Sequence, residues 1–124
     1  MPAFQGPDIP LIVAATIDCA DPARLAAWWA ELLGVEVAAS DEQYAFLGHA
    51  PDRKTTVWFQ RVPEPKAVKN RVHLDLAVPD LEATERRIVA MGGTIGEHHS
   101  WHDAVWRTFA DIEGNEFDVM QAPE

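Results

Sequence analysis

The clearest hydrophobic pattern in the chain has a helical period. Apolar residues recur at i, i+3, i+4, i+7 and i+8, and they are Leu25, Trp28, Trp29, Leu32 and Leu33. This spacing places them on one face of a helix. Asp21 is a typical N-cap, Pro22 suits the first helical position, and Gly34 suits the end. The pattern predicts a helix between Pro22 and Gly34 that packs its tryptophans into a core.

The other apolar segments are shorter and favour strands. They cover residues 11–17, 35–39, 43–48, 55–62, 71–78, 94–98, 106–111 and 116–121. A second helix is predicted between Asp80, which can cap it, and Met91, where Gly92 and Gly93 end it. A proline-containing polar connector follows the fourth strand.

The order strand, Asp-capped helix, glycine stop and three strands occurs twice, with the capping aspartates roughly 60 residues apart. A half of about 50 residues buries too little surface to be very stable alone, so the two halves are expected to share one core. The sequence therefore predicts an α+β fold of tandem βαβββ modules. We expect an N-terminal arm at 1–10, modules at 11–64 and 71–124, and a linker at 65–70. A single open α+β sandwich is the alternative.

Composition narrows the classes of partner. The 124 residues are 48% hydrophobic and carry a net charge of −10, which disfavours nucleic acids and anionic membranes. A cationic or neutral small ligand is compatible with this charge. Cys19 is the lone cysteine, so no disulfide forms within the chain. No positively charged start precedes the apolar run at 9–17, which is too short to span a membrane, and we predict a cytoplasmic protein.

Five segments resemble the vicinal oxygen chelate superfamily, and in particular its glyoxalase-like domain proteins. They are residues 16–22 (TIDCADP), 29–34 (WAELLG), 59–65 (FQRVPEP), 70–76 (NRVHLDL) and 111–117 (DIEGNEF). This superfamily includes glyoxalase I, bleomycin-resistance proteins and extradiol dioxygenases. The resemblance implies two modules whose sheets form a cup, and a homodimer as the assembly. It does not specify the reaction, because the fold carries many activities.

The resemblance also implies where a metal would bind. Metal-dependent members take two ligands from each module, one from its first strand and one from its last. In the second module these positions fall on His73 and Asp118, with Glu116 on the same face as Asp118. In the first module they fall on Ala14 and Trp58, which do not ligate metals, although Gln60 could substitute. The predicted metal candidates are therefore His73, Asp118 and Gln60.

Two further groups of residues are candidates for positions in or near a ligand pocket. His98, His99 and His102 lie close together between two predicted strands, and we expect them in a surface loop at the rim of a pocket. Trp58 and Trp106 are expected to line the cup and to contact an aromatic ligand, or else to fill the core.

Two functions follow, and the residues leave open whether the chain is an enzyme. The first is binding of a small cationic or aromatic molecule in the cup without a complete catalytic metal site, through Trp58, Gln60, His73, Trp106 and Asp118. The alternative is a lyase, isomerase or dioxygenase that uses a divalent ion such as zinc, nickel, manganese or iron, with Glu116 moving a proton. A third possibility is a metal-free enzyme in which His73 acts as the acid or base.

Overall fold

The computed structural model describes residues 9–51 and 55–123. Most of the predicted N-terminal arm lies outside these residues. The described chain divides into two compact units, one ending at Val62 and the other beginning at Pro63. Each unit has one helix and one four-stranded mixed sheet, which confirms the predicted α+β fold of two modules. Within the described ranges, neither helix has the length and apolar character needed to cross a membrane.

The first module has the order βαβββ. Its elements are β1 (Ala14–Cys19), α1 (Pro22–Leu33), β2 (Val37–Ser40), β3 (Tyr44–Leu47) and β4 (Thr56–Arg61). The strands are arranged β1-β4-β3-β2, with β1 parallel to β4 and β3 antiparallel to both of its neighbours. Because β1 and β4 are parallel, a long connection must separate them in the chain. That connection includes α1, which packs on β3 and β4.

The ends of α1 follow the prediction from sequence. The Asp21 carboxylate accepts a hydrogen bond from the backbone N–H of Arg24, and Pro22 occupies the first turn. Gly34 ends the helix at a φ of 68°, a left-handed conformation that favours glycine. Trp28 and Trp29 are both buried, so the apolar stripe of this helix is core as expected.

The second module repeats this order. Its elements are β5 (Asp75–Val78), α2 (Leu81–Ala90), β6 (Thr94–Trp101), β7 (Ala104–Ala110) and β8 (Glu116–Gln121). The sheet order is β5-β8-β7-β6, with β5 parallel to β8. Asp80 caps α2 by accepting from the N–H of Ala83, and the Gln121 side chain accepts from the N–H of Leu81. The last strand therefore helps to hold the start of the helix.

The two faces of the second sheet differ sharply. Phe109, Phe117 and Val119 are fully buried on one face, and they form the core of the module. Glu85 of α2 lies 3.3 Å from both His98 and Arg107, which identifies this as the face that α2 covers. The alternate residues of each strand therefore point away from α2. We call this second surface the helix-distal face.

Most strands differ from their predicted bounds by one to four residues, and the differences at β5 and β6 affect the candidate site. Strand β5 begins at Asp75, so His73 precedes the strand instead of lying inside it. Strand β6 continues to Trp101, so the prediction of a loop at His98 and His99 is wrong. Residues 98–101 are polar at most positions, but each pairs with β7 in register, and this backbone pairing extends the strand beyond the apolar pattern.

Candidate functional site

His73 and Asp118 meet at the parallel pair of strands in the second module. The Nε2 of His73 lies 3.0 Å from Oδ2 of Asp118. Asp118 is in the middle of β8, and its backbone N–H donates to the carbonyl of Leu74, the residue after His73. The same backbone pairing that joins β8 to the start of β5 therefore brings the two side chains together. The Asp118 side chain is 14% exposed and that of His73 is 37% exposed.

Asp75 is a third group at this position, and it is not among the site residues predicted from the sequence. It pairs with Asp118 in the β5–β8 register, so both side chains lie on the helix-distal face. Its Oδ1 lies 3.4 Å from Nε2 of His73. The signal was present in the sequence, because Asp75 follows His73 by two residues and alternation places both on one face.

These three side chains have the donors that a divalent ion requires. One atom each from His73, Asp75 and Asp118 lie within 4.8 Å of one another. Ligands held at ~2.1 Å by one ion are about 3.0 Å apart at a right angle and about 3.4 Å apart at a tetrahedral angle. The two measured separations from His73, 3.0 and 3.4 Å, match these values. An imidazole with two carboxylates suits zinc, iron, nickel or manganese. The residues present therefore fit a divalent ion.

Thr108 and His99 extend the site across the sheet. Thr108 pairs with Asp118 in the β7–β8 register, and its hydroxyl oxygen lies 2.6 Å from Oδ1 of that carboxylate. The same hydroxyl lies 3.2 Å from Nε2 of His99 on β6. The His99 ring stacks on Trp106, with 5.6 Å between the ring centroids. The candidate Trp106 therefore shares the helix-distal face with Asp118, and its ring contacts that of His99.

Glu116 is on the same strand as Asp118 but has different partners. Its carboxylate lies 3.0 Å from the ammonium of Lys66 and accepts from the backbone N–H of Asn70 at 3.0 Å. Burial raises the pKa of Glu116, but the Asn70 N–H and the Lys66 ammonium together lower that pKa below its ordinary value. Glu116 therefore ties the segment that leads to His73 onto β8. Its role as a proton carrier stays a prediction.

The first module has aromatic side chains at the equivalent register positions. Trp58 is paired with Thr16 and Phe46, just as Asp118 is paired with Asp75 and Thr108. The rings of Trp58 and Phe46 pack edge to face, with their centroids 5.1 Å apart.

Gln60 and Ala14 occupy two further positions on this first sheet. Gln60 lies two residues beyond Trp58 on β4 and pairs with Asp18. Ala14 is paired with Thr56 at the start of β1, so the position equivalent to His73 has no ligand atom in its side chain. The roles of Trp58 and Gln60 as ligand contacts, and of Gln60 as a metal ligand, stay predictions.

The predicted histidine cluster does not converge on one point. His98 points to the helix side, where Glu85 lies 3.3 Å from its Nε2, and His99 is on the opposite face. His102 lies in the β6–β7 turn with a φ of 54°, and its ring packs against Trp101. Consecutive residues of a strand point to opposite faces, so only His99 reaches the candidate site.

Comparisons with known proteins agree with this architecture. The family model of the glyoxalase-like domain matches residues 14–120. No match is found among the curated proteins. A glyoxalase/bleomycin resistance protein/dioxygenase family enzyme from Burkholderia phytofirmans superposes with a TM-score of 0.74 at 14% identity, covering 90% of this chain and 98% of that one.

Two other solved structures are named for different roles. A fosfomycin resistance protein from Listeria monocytogenes has a TM-score of 0.73 at 13% identity, covering 93% of this chain and 95% of its own. A bleomycin-binding protein from Streptomyces verticillus has a TM-score of 0.66 at 13% identity, with coverages of 93% and 98%. Identities this low show a shared fold alone. Because the family model spans most of the sequence, the chain belongs to the glyoxalase-like domain family.

Proposed function

We propose that this protein binds a small organic molecule that carries a positive charge next to an aromatic group, on the helix-distal face of the second module. The observation that carries the proposal is the convergence of His73, Asp75 and Asp118. Polar side chains that converge beside an aromatic surface are typical of small-molecule sites. The opposite face of the same sheet is closed by the apolar core and α2.

The charge of the site favours a cation. Asp75 and Asp118 place two carboxylates beside one imidazole, and the whole chain has a net charge of −10. A ligand ammonium or guanidinium group would relieve the repulsion between the two carboxylates. It would also donate charge-assisted hydrogen bonds to both of them.

The aromatic component is provided by two rings on the same face. Trp106 stacks with His99, and His99 contacts Thr108, the hydroxyl partner of Asp118. A planar ligand group can pack on such a surface while a cationic group reaches the carboxylates. The Streptomyces relative is itself a bleomycin-binding protein, which supports a binding role for the fold without assigning that ligand here.

A matched pair of probes tests the charge and the location together. NMR titrations with 2-phenylethylamine and with 3-phenylpropionate compare a cation and an anion on similar frames. We expect the amine to shift the ring signals of His73 and Trp106, and Asp118→Asn to remove that response. Equal responses to both probes, or none to the amine, would refute the proposal. His98→Gln is the control, because this histidine lies on the opposite face.

The second candidate is a divalent-metal enzyme of the lyase, isomerase or dioxygenase type. The observation that favours it is that His73, Asp75 and Asp118 come from one module and need no ligand from Ala14 or Trp58. A bound ion would supply Lewis-acid chemistry to substrate oxygens. The chain's own contribution would be to hold that ion with these three side chains.

Metal analysis of untagged protein separates the two candidates. Near-stoichiometric zinc, nickel, manganese or iron that is lost in His73→Ala and Asp75→Asn, but retained in His98→Ala, would establish the metal candidate. Metal content that is unchanged by all three substitutions would exclude this site as its source. A cytoplasmic location and a homodimer are also part of the proposal, and size-exclusion chromatography with light scattering tests the dimer.

A further inference from the structure

Thr108 stands between two titratable side chains on the helix-distal face. Its hydroxyl oxygen is 2.6 Å from Oδ1 of Asp118 and 3.2 Å from Nε2 of His99. Asp118 in turn places its other oxygen, Oδ2, 3.0 Å from Nε2 of His73. These contacts form a continuous line from β6 through β7 and β8 to His73, which lies just before β5.

The donors and acceptors in this line can be assigned from chemistry. An ionised carboxylate only accepts hydrogen bonds, so the short contact requires the single hydroxyl proton of Thr108 to point at Asp118. The Thr108 oxygen must then accept from His99, and Nε2 of His99 must carry a proton. By the same argument Nε2 of His73 donates to Oδ2 of Asp118. Each of the two carboxylate oxygens therefore has its own donor.

We propose that Thr108 and His99 are positioning residues that fix the Asp118 carboxylate, committing Oδ1 to the sheet and presenting Oδ2 alone to His73 and to a ligand. The inference rests on the proposed function only in taking Asp118 as the group that meets the ligand. Its consequence is that Asp118 offers one oxygen, so a bound cation or metal ion meets a monodentate carboxylate with a defined orientation.

The surrounding structure supports this assignment. The Thr108–Asp118 register pair fixes the separation of the two backbones, and a hydroxyl on a β-branched side chain has few rotamers. The His99 ring is stacked on Trp106, which restricts its rotation and keeps Nε2 directed at Thr108. No residue in this line is needed to fill the core, because the buried side chains of β7 and β8 are on the other face.

NMR of the ligand-free full chain tests the proposal directly. With ¹⁵N-labelled histidine at pH about 8.5, where free imidazoles are neutral, we expect a slowly exchanging Nε2–H signal from His99. Thr108→Val should abolish that signal, and Thr108→Ser, which keeps the hydroxyl, should restore it. The ¹³C signal of the Asp118 carboxylate should shift in Thr108→Val and in His99→Gln. It should remain in place in His98→Gln, the matched control on the same strand.

The outcomes separate the proposed positioning role of Thr108 and His99 from the proposed function. Persistence of the His99 signal in Thr108→Val, or an equal Asp118 shift in His98→Gln, overturns the proposal. Failure of Thr108→Ser to restore the signal overturns it as well. If Thr108→Val does not fold, His99→Gln and Thr108→Ser still decide the question. Mn²⁺ titration adds a second readout, in which Thr108→Val should weaken binding by about 10-fold and Thr108→Ser should not. Absence of Mn²⁺ binding by the wild type would remove the metal candidate and leave the NMR result standing.

Discussion

The turn before β8 determines where Asp118 lies, and one aspartate holds that turn together. Asp111 is 2% exposed, and its Oδ1 accepts from the backbone N–H groups of Glu113 and Asn115 at 2.9 and 3.0 Å. The side-chain amide of Asn115 also donates to both carboxylate oxygens. We predict that Asp111→Ala strongly destabilises the chain, because it removes the acceptor for all of these donors.

The magnitude follows from burial. Asn115 is 6% exposed, so its backbone N–H and its amide group cannot turn to water when the carboxylate is lost. An unsatisfied buried donor costs about 1–3 kcal/mol, and two of them give a loss of about 2–6 kcal/mol in the free energy of unfolding. Asp111→Asn keeps one acceptor oxygen but places an amide against the amide of Asn115, and we expect it to lose about 1–2 kcal/mol.

Asp41 provides a matched control in the first module. Its carboxylate makes the same kind of contact, accepting from the backbone N–H groups of Gln43 and Tyr44 at 2.8 and 2.9 Å. Asp41 is exposed, so water can replace it as acceptor. Urea unfolding followed by circular dichroism should give a clearly smaller loss for Asp41→Ala than for Asp111→Ala. Equal losses in the two variants would refute the argument from buried donors.

Two further predictions concern stability. Gly93→Ala should destabilise the chain by about 1–3 kcal/mol in thermal unfolding, because its Cβ would lie 2.6 Å from a methyl group of Ile88. Gly48→Ala, whose Cβ would meet only ordinary contacts at 3.4 and 3.5 Å, is the control. The pKa of Glu116 is lowered from 4.5 in the folded chain, so its carboxylate stabilises the fold above that pH and loses this effect as the pH falls through the folded pKa. Glu116→Gln should therefore have a lower free energy of unfolding than the wild type at neutral pH, and the two values should converge in strong acid. A difference that stays constant across the pH range would contradict the Lys66 and Asn70 contacts as its cause.

The two modules show how a repeated fold can hold different chemistry. At equivalent register positions the second module has Asp118 and Thr108, and the first has Trp58 and Phe46. The backbone pairing is the same in both modules, and therefore the fold requires neither the polar pair nor the aromatic pair. What a sheet position contributes to function depends on the side chain that occupies it.

The sequence by itself determined the repeat, the first helix and the family. The repeat and the first helix rest on local physics: a helical apolar stripe between Asp21 and Gly34, and a twofold order of elements that one sequence displays without tertiary contacts. The family rests on the segments that resemble it. The sequence also named His73 and Asp118, through the positions that the resemblance supplied. The repeat and the first helix could be predicted because capping, periodicity and spacing act over a few residues at a time, whereas the roles of His73 and Asp118 stay predictions.

Only the tertiary structure decided how the site is assembled. The contact of Thr108 with Asp118 joins two strands, and that of His99 with Thr108 joins a third. The sequence placed His99 in a loop, because polar residues at the end of β6 give no apolar alternation, and cross-strand hydrogen bonding extended the strand instead. Which side chains meet across a sheet depends on register, and register is fixed by pairing between distant segments, which no local pattern contains.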